Sequence, residues 1–158
     1  MIFEESMENI DEIRNQLALE RLNADFIFYL DNNEISSLVD LFTHDAQYSH
    51  GARVTNGHKE LQVLFGKRLK GEARVSRHLQ TGLRINFSSE NEAIGQSVCL
   101  TFAGNGTPPF QGADPLLIAD FEDEYQRDEN GIWKINSRRI HRIFESPGSQ
   151  PYGTSKAG

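Results

Sequence analysis

The sequence predicts an α+β fold in which a curved antiparallel or mixed sheet wraps over one long N-terminal helix and two shorter helices. Two observations predict it: helical patterns occupy the first part of the chain, and four successive strand patterns occupy the second. Four long strands cannot cover their own apolar face, so the helices must lie against it. A strongly curved sheet closed by a helix forms a cone, and its hollow end suits a ligand.

Length and composition indicate one soluble globular domain over residues 1–145. The chain has 158 residues, and its 23 acidic side chains exceed its 16 basic ones, which argues against a nucleic-acid binder. No segment approaches the roughly 20 apolar residues of a membrane span, and the acidic N-terminus lacks the pattern of a secretory signal. We therefore expect a cytoplasmic protein. Residues 146–158 are small, polar and rich in proline and glycine, which predicts a disordered tail.

The first helix is predicted over residues 7–33, where neither proline nor glycine interrupts the pattern. Asp31 follows its apolar stripe on the next turn, where an apolar residue is expected. Either the helix ends there at the surface, or the carboxylate points into a pocket. The stripe consists of Ile13, Leu17, Ala24, Ile27 and Phe28.

Two shorter helices are predicted next, on either side of a short strand over residues 46–49. The segment "EISSLVDLF" can begin after an N-cap at Asn32 or Asn33. The segment "NGHKELQVLFGKRLKGE" has a helical apolar face and ends at Gly71. The residues of that face are Leu61, Leu64, Phe65 and Leu69.

Four strands follow, in "VSRHLQTGLRINFS", "EAIGQSVCLTFA", "PLLIADFEDEYQRD" and "IWKINSRRIHRIFE". The last two are joined by "DENG", where Asn130 and Gly131 can supply the positive φ angles of a tight hairpin. The longer connection "GNGTPPFQGAD" either folds over the mouth of the cone as a lid or is an ordinary loop, and most loops of this length only connect.

His78 lies near the start of the first long strand. Strict alternation places Leu79 and Leu83 together on the core face and turns His78 outward. Gly82 complicates this arrangement, because a glycine within a strand often marks a bulge, and a bulge would change the alternation. The sequence therefore permits an inward His78 without requiring it.

The last strand offers two adjacent arginines, Arg138 and Arg139. Arginines on a strand often form a solvated edge, whereas one that faces a pocket binds an anionic group or stabilises developing negative charge. The alternation does not choose between the two.

The sequence gives little indication of a reactive thiol, a metal site or a cofactor site. Cys99 lies in the apolar run "SVCLTF" and is best interpreted as a small buried hydrophobe. His44, His50 and His58 lack metal-ligand spacing, and no phosphate-binding or nucleophile motif occurs. We expect neither a metal nor a cofactor.

The order of these segments resembles the SnoaL-like branch of the nuclear-transport-factor-2-like superfamily, from about Leu17 to Phe144. The resemblance rests on "LDNNEISSLVDLFTHDAQY", "RHLQTGLRINF" and "GIWKINSRR". Within that branch the chain looks most like the group that contains scytalone dehydratase, lindane dehydrochlorinase and the bile-acid dehydratases.

The resemblance implies roles for individual residues. Asp31 and His78 fall on the family's aspartate and histidine, with the carboxylate orienting the imidazole as general base. Arg138 falls where the dehydrochlorinase has an active-site arginine. Tyr48 falls near an aromatic residue that lines the pocket. The second pocket histidine of scytalone dehydratase has no counterpart in "SVCLTF", where Thr101 is the nearest polar residue.

The function implied is a cofactor-independent lyase or isomerase, of the dehydratase type, that acts on a small hydrophobic cyclic molecule in a homotrimer or homodimer. Two alternatives stay open: a ligand-binding protein without catalysis, and an accessory subunit of a ring-hydroxylating dioxygenase. The expected apolar wall consists of Phe28, Leu41, Phe42, Phe65, Phe102 and Phe121, although any of these could belong to the core.

Overall fold

The computed structural model describes residues 2–70 and 73–147, with side chains from residue 10 onward. Residues 148–158 of the predicted tail and Gly71 lie outside the described residues. The helices are α1 (Ile2–Asn32), α2 (Ile35–Val39) and α3 (Gly57–Gly66), with a 3-10 turn at Lys67–Leu69. The strands are β1 (Phe42–His50), β2 (Arg53–Asn56), β3 (Arg74–Ser89), β4 (Glu92–Asn105), β5 (Leu117–Arg127) and β6 (Trp133–Glu145).

The strands form one sheet in the order β2-β1-β6-β5-β4-β3. β1 runs parallel to β6, and the other neighbouring pairs are antiparallel. The helices cover the inner face of this curved sheet, and the predicted α+β class with one long and two shorter helices is confirmed. No helix in the described part of the chain is long and apolar enough to cross a membrane.

The buried face of α1 differs from the predicted one. Ile13, Leu17 and Phe28 are each more than half exposed. A second apolar stripe, offset around the same helix, packs on the sheet instead, and a buried Asn23 in that stripe donates a hydrogen bond to the hydroxyl of Tyr125. One helix can bury only one of the two stripes against the sheet. Only the second stripe contains a polar residue, Asn23, that finds a hydrogen-bond partner there. The buried stripe consists of Leu19, Leu22, Phe26 and Leu30.

The two short helices are shorter than predicted. Asn33 adopts φ 58°, which ends α1, and α2 begins after Glu34 without a side-chain cap from Asn32 or Asn33. α2 stops at Val39, and the chain enters β1 at Phe42. After α3 the chain tightens into the 3-10 turn, which turns Leu69 to solvent and buries Arg68 in its place.

Irregular pairing sets which side chains face inward along the sheet. The β3–β4 register shifts between Thr81 and Arg84, and Gly82 adopts φ 65° within that shift. The bulge that the glycine predicted is therefore present. It leaves Leu79 half-exposed on the outer face, where simple alternation placed it inside, and turns His78 inward.

The β5–β6 connection differs in detail from the sequence interpretation, whereas the β4–β5 connection agrees with an ordinary loop. Of the predicted hairpin pair, Gly131 adopts φ 78° and Asn130 does not adopt a positive φ; the Asp128 carboxylate instead accepts the backbone N–H of Asn130 at 2.9 Å. In the longer connection the Phe110 ring lies against Gly104. None of residues 104–114 lines the cavity described below.

Candidate active site

A cavity lies between the concave face of the sheet and the helices, with walls from α1, α3 and all six strands. Its empty volume, which includes solvent space at the open mouth, is about 760 Å³. Most of the wall is apolar, as predicted. The apolar wall includes Phe26, Leu64, Phe65, Leu117, Phe121 and Ile140.

Asp31 and His78 meet at this cavity. Asp31 occupies the last turn of α1, and its Oδ1 lies 2.6 Å from Nδ1 of His78. The backbone N–H of His78 donates to the other carboxylate oxygen at 2.9 Å. Both side chains are largely buried, and the His78 ring lines the cavity. Two contacts from one carboxylate therefore fix the position of the strand and the orientation of its imidazole.

A polar chain behind the carboxylate holds it in place. Ser76 donates from its hydroxyl to Asp31 at 2.8 Å, and Arg68 donates to that hydroxyl at 2.6 Å. Arg68 also donates to the side-chain oxygen of Asn33 at 3.1 Å. Ser76 and His78 are two residues apart on β3, so the strand presents both side chains to Asp31 from one face.

The electrostatic balance favours the ionised carboxylate. Burial acts to raise the pKa of Asp31, but the hydrogen bonds and charge of His78, together with the Ser76 hydroxyl, leave this pKa below its usual value. An ionised carboxylate can only accept hydrogen bonds, so the proton between the two groups belongs to Nδ1 of His78. In the neutral form of this imidazole, the second ring nitrogen, Nε2, carries the lone pair.

Arg138 faces the interior, and Arg139 is half-exposed. Arg138 does not line the cavity, however, which corrects its predicted place in the pocket. Its guanidinium donates to both oxygens of Asp123, from Nε at 2.7 Å and from Nη2 at 2.8 Å. The same group lies over the rings of Phe26 at 4.2 Å and Phe121 at 4.9 Å, and these rings belong to the cavity wall. Arg138 thus lies behind the wall.

The ion pair of Arg138 is part of a buried polar network. Both side chains of the pair are fully buried, and Tyr125 donates to Asp123 at 2.7 Å. Burial acts to lower the pKa of Arg138, but the charge and hydrogen bonds of Asp123 outweigh it and raise the pKa. The guanidinium is therefore charged and paired with a carboxylate of its own chain, although among the described residues its buried Nη1 has no hydrogen-bond partner.

Three of the predicted substrate-binding residues line the cavity: Tyr48, Phe65 and Thr101. Thr101 is the β4 partner of His78, so sheet pairing places it beside the imidazole. Burial raises the pKa of the Tyr48 phenol and keeps it protonated, which leaves it able to donate a hydrogen bond. Phe121, also expected in the wall, lines the cavity as well.

The other predicted wall residues lie elsewhere. Phe28 points to solvent because it is on the exposed side of α1. Phe42 is in the core, where its ring contacts Phe26 at 6.0 Å and Phe65 at 6.3 Å. Phe102 follows the inward Thr101 on β4 and therefore faces the opposite side of the sheet. Leu41 packs against the core beside β1 and is likewise absent from the wall.

The sequence interpretation missed a group of arginines. Four line the cavity: Arg53, Arg68, Arg74 and Arg142. The alternation of β6 contained a signal for one of them, because Arg142 has the same parity as the inward Ile140. Arg53 gave no comparable signal, since the four-residue strand β2 was not predicted.

His50, at the end of β1, also lines the cavity. Its Nε2 lies 3.5 Å from Nη1 of Arg142. Burial, followed by the charges of Arg53 and Arg142, lowers the pKa of His50 to about 4. The imidazole is therefore neutral at neutral pH. His44 and His58 are instead stacked on one another at 5.3 Å, and the described residues contain no cluster of His, Cys, Asp or Glu able to hold a metal ion.

Comparison with known families identifies the fold. The model of the SnoaL-like domain matches residues 11–139. The chain belongs to the SnoaL-like domain family. None of the curated protein sequences compared with the chain matches it.

Three solved structures illustrate the likeness. A protein assigned as a scytalone dehydratase from Novosphingobium aromaticivorans DSM 12444 has a TM-score of 0.76 and 21% identity, over 94% of this chain and 99% of its own. The type 3 hexachlorocyclohexane dehydrochlorinase of Novosphingobium barchaimii LL02 has a TM-score of 0.74 and 19% identity, over 93% and 99% of the two chains.

The third, a protein assigned as an aromatic ring hydroxylase from Novosphingobium aromaticivorans, has a TM-score of 0.71 and 18% identity, over 84% and 91% of the two chains. At these identities the three likenesses show the shared fold, and this fold carries enzymes of different chemistry.

Proposed function

We propose that this SnoaL-like protein is a cofactor-independent lyase or isomerase in which His78 is the general base and Asp31 orients it. The observation that carries the proposal is the 2.6 Å contact between Asp31 and Nδ1 of His78 at the cavity wall. Because Nδ1 donates to the carboxylate, the lone pair of Nε2 is the one available to a bound molecule.

The reaction follows from this protonation pattern. A ring compound in the cavity presents a C–H next to an activating group, and Nε2 of His78 removes that proton. The imidazolium that forms is stabilised by the Asp31 carboxylate, which remains ionised. In a dehydration the proton returns to the departing hydroxide as water; in an isomerisation it returns to another carbon. The protein supplies position and proton transfer, so no cofactor is invoked.

The largely apolar wall supports a small hydrophobic cyclic substrate, because such a wall excludes water and strengthens the charge interactions at the base. Thr101 beside the imidazole and the Tyr48 phenol are the polar side chains that can orient it. A ligand-binding protein without catalysis would use the same wall but would have no need of a buried carboxylate on the ring nitrogen.

The test uses 5-nitrobenzisoxazole, a neutral bicyclic compound that a base converts to a coloured phenolate by removing one C–H proton and breaking the N–O bond. We expect the protein to accelerate this elimination beyond free imidazole at equal concentration. His78→Gln should reduce the rate by about 100-fold or more, in line with general-base contributions. Asp31→Asn should also reduce it, because an amide can donate to Nδ1 and favour the wrong tautomer.

The matched control is His141→Gln. His141 is half-exposed, pairs with Glu122 at 3.1 Å and does not line the cavity. It should leave the rate unchanged. Equal rates for the wild-type and His78→Gln proteins would refute the proposal and favour a binding protein.

We also propose the homo-oligomer that the family resemblance implies. Apolar side chains on the outer face of the sheet support it, because Leu79, Ile94 and Phe144 are each at least half exposed. Light scattering during size-exclusion chromatography would give the mass; a monomer at micromolar concentration would contradict the expectation.

A further inference from the structure

The cavity has a charge opposite to that of the protein as a whole. The chain has a formal net charge of -7, yet the described residues that line the cavity include four arginines and no aspartate or glutamate. An apolar wall with several cations attracts a ligand that carries negative charge, because the interaction is strong where water is excluded. This feature is not explained by a purely hydrophobic substrate.

The four arginines lie in different parts of the wall, and Arg74 is at the start of β3, four residues before His78. Arg68 supports Asp31 through Ser76, so it belongs to the machinery behind the base. Arg142 lies on the opposite flank of the sheet, next to His50. Arg53 is on β2, three residues after His50, and acts on its charge state together with Arg142. Arg53, His50 and Arg142 form one group, which we call the Arg53–Arg142 cluster.

The Arg53–Arg142 cluster and the general base, His78, lie on different strands of one curved sheet. Arg142 is on β6 and His78 on β3, with β5 and β4 between them. Three strand spacings amount to about 14 Å along the sheet, and to less across its curve. Ala119 and Leu117 of β5 and Thr101 of β4 line the interval. The Arg142 and His78 side chains occupy part of that backbone distance, so one or two fused rings bearing a carboxylate fit between them.

We propose that the substrate is a ring compound bearing a carboxylate, which binds at Arg53 and Arg142 while its reactive C–H faces His78. This assignment of the substrate class rests on the proposed function for the identity of the reactive end. A planar guanidinium matches the two oxygens of a carboxylate, which gives orientation as well as affinity. His50 remains neutral beside the two arginines, and it adds a hydrogen-bonding group without adding a competing charge.

Glu145, one of the partners of Arg142 within the chain, is compatible with this binding. Arg142 pairs with Glu145 three residues along β6, but Glu145 is more than half exposed. Solvent weakens such a pair, and a carboxylate arriving inside the cavity meets the guanidinium from its less hydrated side. The ligand therefore adds an acceptor and does not require Glu145 to leave.

The test compares naphthalene-2-carboxylate with naphthalene-2-carboxamide, which has the same shape without the charge. Calorimetric titration of the full chain should show the acid binding at least about tenfold more tightly than the amide. Arg53→Gln and Arg142→Gln should each reduce this ratio, and the double variant should bring it to about one. The ratio is measured within each variant, so a general loss of folding lowers both affinities and does not imitate the effect.

Arg139→Gln is the matched control, because Arg139 is half-exposed and pairs with Glu124 at 2.6 Å on the outer side of the sheet. It should keep the full ratio. An acid-to-amide ratio near one in the wild-type protein would overturn the inference, as would a ratio that survives in the double variant. Tenfold tighter binding of 2-naphthyl phosphate than of the acid would overturn the carboxylate assignment.

The outcome is separable from that of the proposed function. The acid-to-amide ratio is an equilibrium measurement and needs no turnover, whereas the elimination assay uses a neutral compound and depends on His78. A normal elimination rate with a ratio near one would reject the carboxylate site alone. A high ratio without His78-dependent elimination would reject the general base alone.

Discussion

Replacing Arg138 with methionine is expected to lower the free energy of unfolding by about 3–5 kcal/mol, because it removes one partner of a buried ion pair and leaves the other charge uncompensated. Arg138 and Asp123 are both fully buried, and two of the hydrogen bonds to the carboxylate come from the guanidinium. In the variant, Asp123 keeps the Tyr125 hydroxyl as its side-chain donor. Methionine fills a similar apolar volume, so the cost is mainly electrostatic.

Urea unfolding followed by circular dichroism measures this change, and the thermal midpoint should fall by about 2–4 °C for each kcal/mol in a chain of this size. Arg139→Met is the matched control on the neighbouring residue. Its ion pairs with Glu122 and Glu124 are about half exposed, so we expect a loss of at most about 1 kcal/mol.

A double variant separates charge from packing. Arg138→Met with Asp123→Asn removes both charges, so it should be less destabilised than Arg138→Met alone. The reasoning is refuted if Arg138→Met costs no more than Arg139→Met, or if the double variant loses the sum of the two single changes. Either result would mean that the buried carboxylate finds compensation elsewhere.

Three further predictions concern titration, backbone and thiol chemistry. Burial and the charges of Arg53 and Arg142 lower the pKa of His50 to about 4, so the unfolded chain binds more protons than the folded one between about pH 6.5 and 4. The free energy of unfolding therefore falls as the pH drops through that window. In urea titrations, His50→Gln should reduce this fall by about 1–3 kcal/mol between pH 7 and 4. Gly82→Ala should cost about 1 kcal/mol or more in thermal unfolding, because φ 65° disfavours a side chain even though nothing lies within 4 Å of the added carbon. Burial raises the pKa of Cys99 to about 12, so an aromatic disulfide reagent should leave this thiol unmodified in the native protein and react with it in urea.

The sequence predicted the order of elements well because turn signals and composition change sharply along the chain. It could not choose the buried face of α1, where two apolar stripes coexist and only the second carries Asn23 toward the sheet. It also missed β2, whose four residues are too few for alternation to be distinguished from a loop. Tertiary contacts determine which stripe is buried, and helical periodicity in the sequence carries no information about them.

The candidate site was predictable in part. Asp31 stood out because a carboxylate followed an apolar stripe, even though the stripe itself proved to be the exposed one. Arg138 was placed in the pocket by analogy, and what excludes it is Asp123, on a different strand and paired with it by the sheet register. No local pattern in β6 predicts that Asp123 is the partner of Arg138.

Departures from regular strand pairing explain why the polar residues of this sheet face where they do. A side chain changes face when one residue is added to a strand, and two of these additions lie beside a functional or structural group. At Gly82 the addition turns His78 toward Asp31; at Asn136 the shift between β5 and β6 lets both Ile135 and Arg138 point inward. Strict alternation would have left the imidazole on the outer face and the Asp31 carboxylate without its ring partner. The geometry of the base therefore depends on an irregularity in the sheet as much as on the two residues that form it.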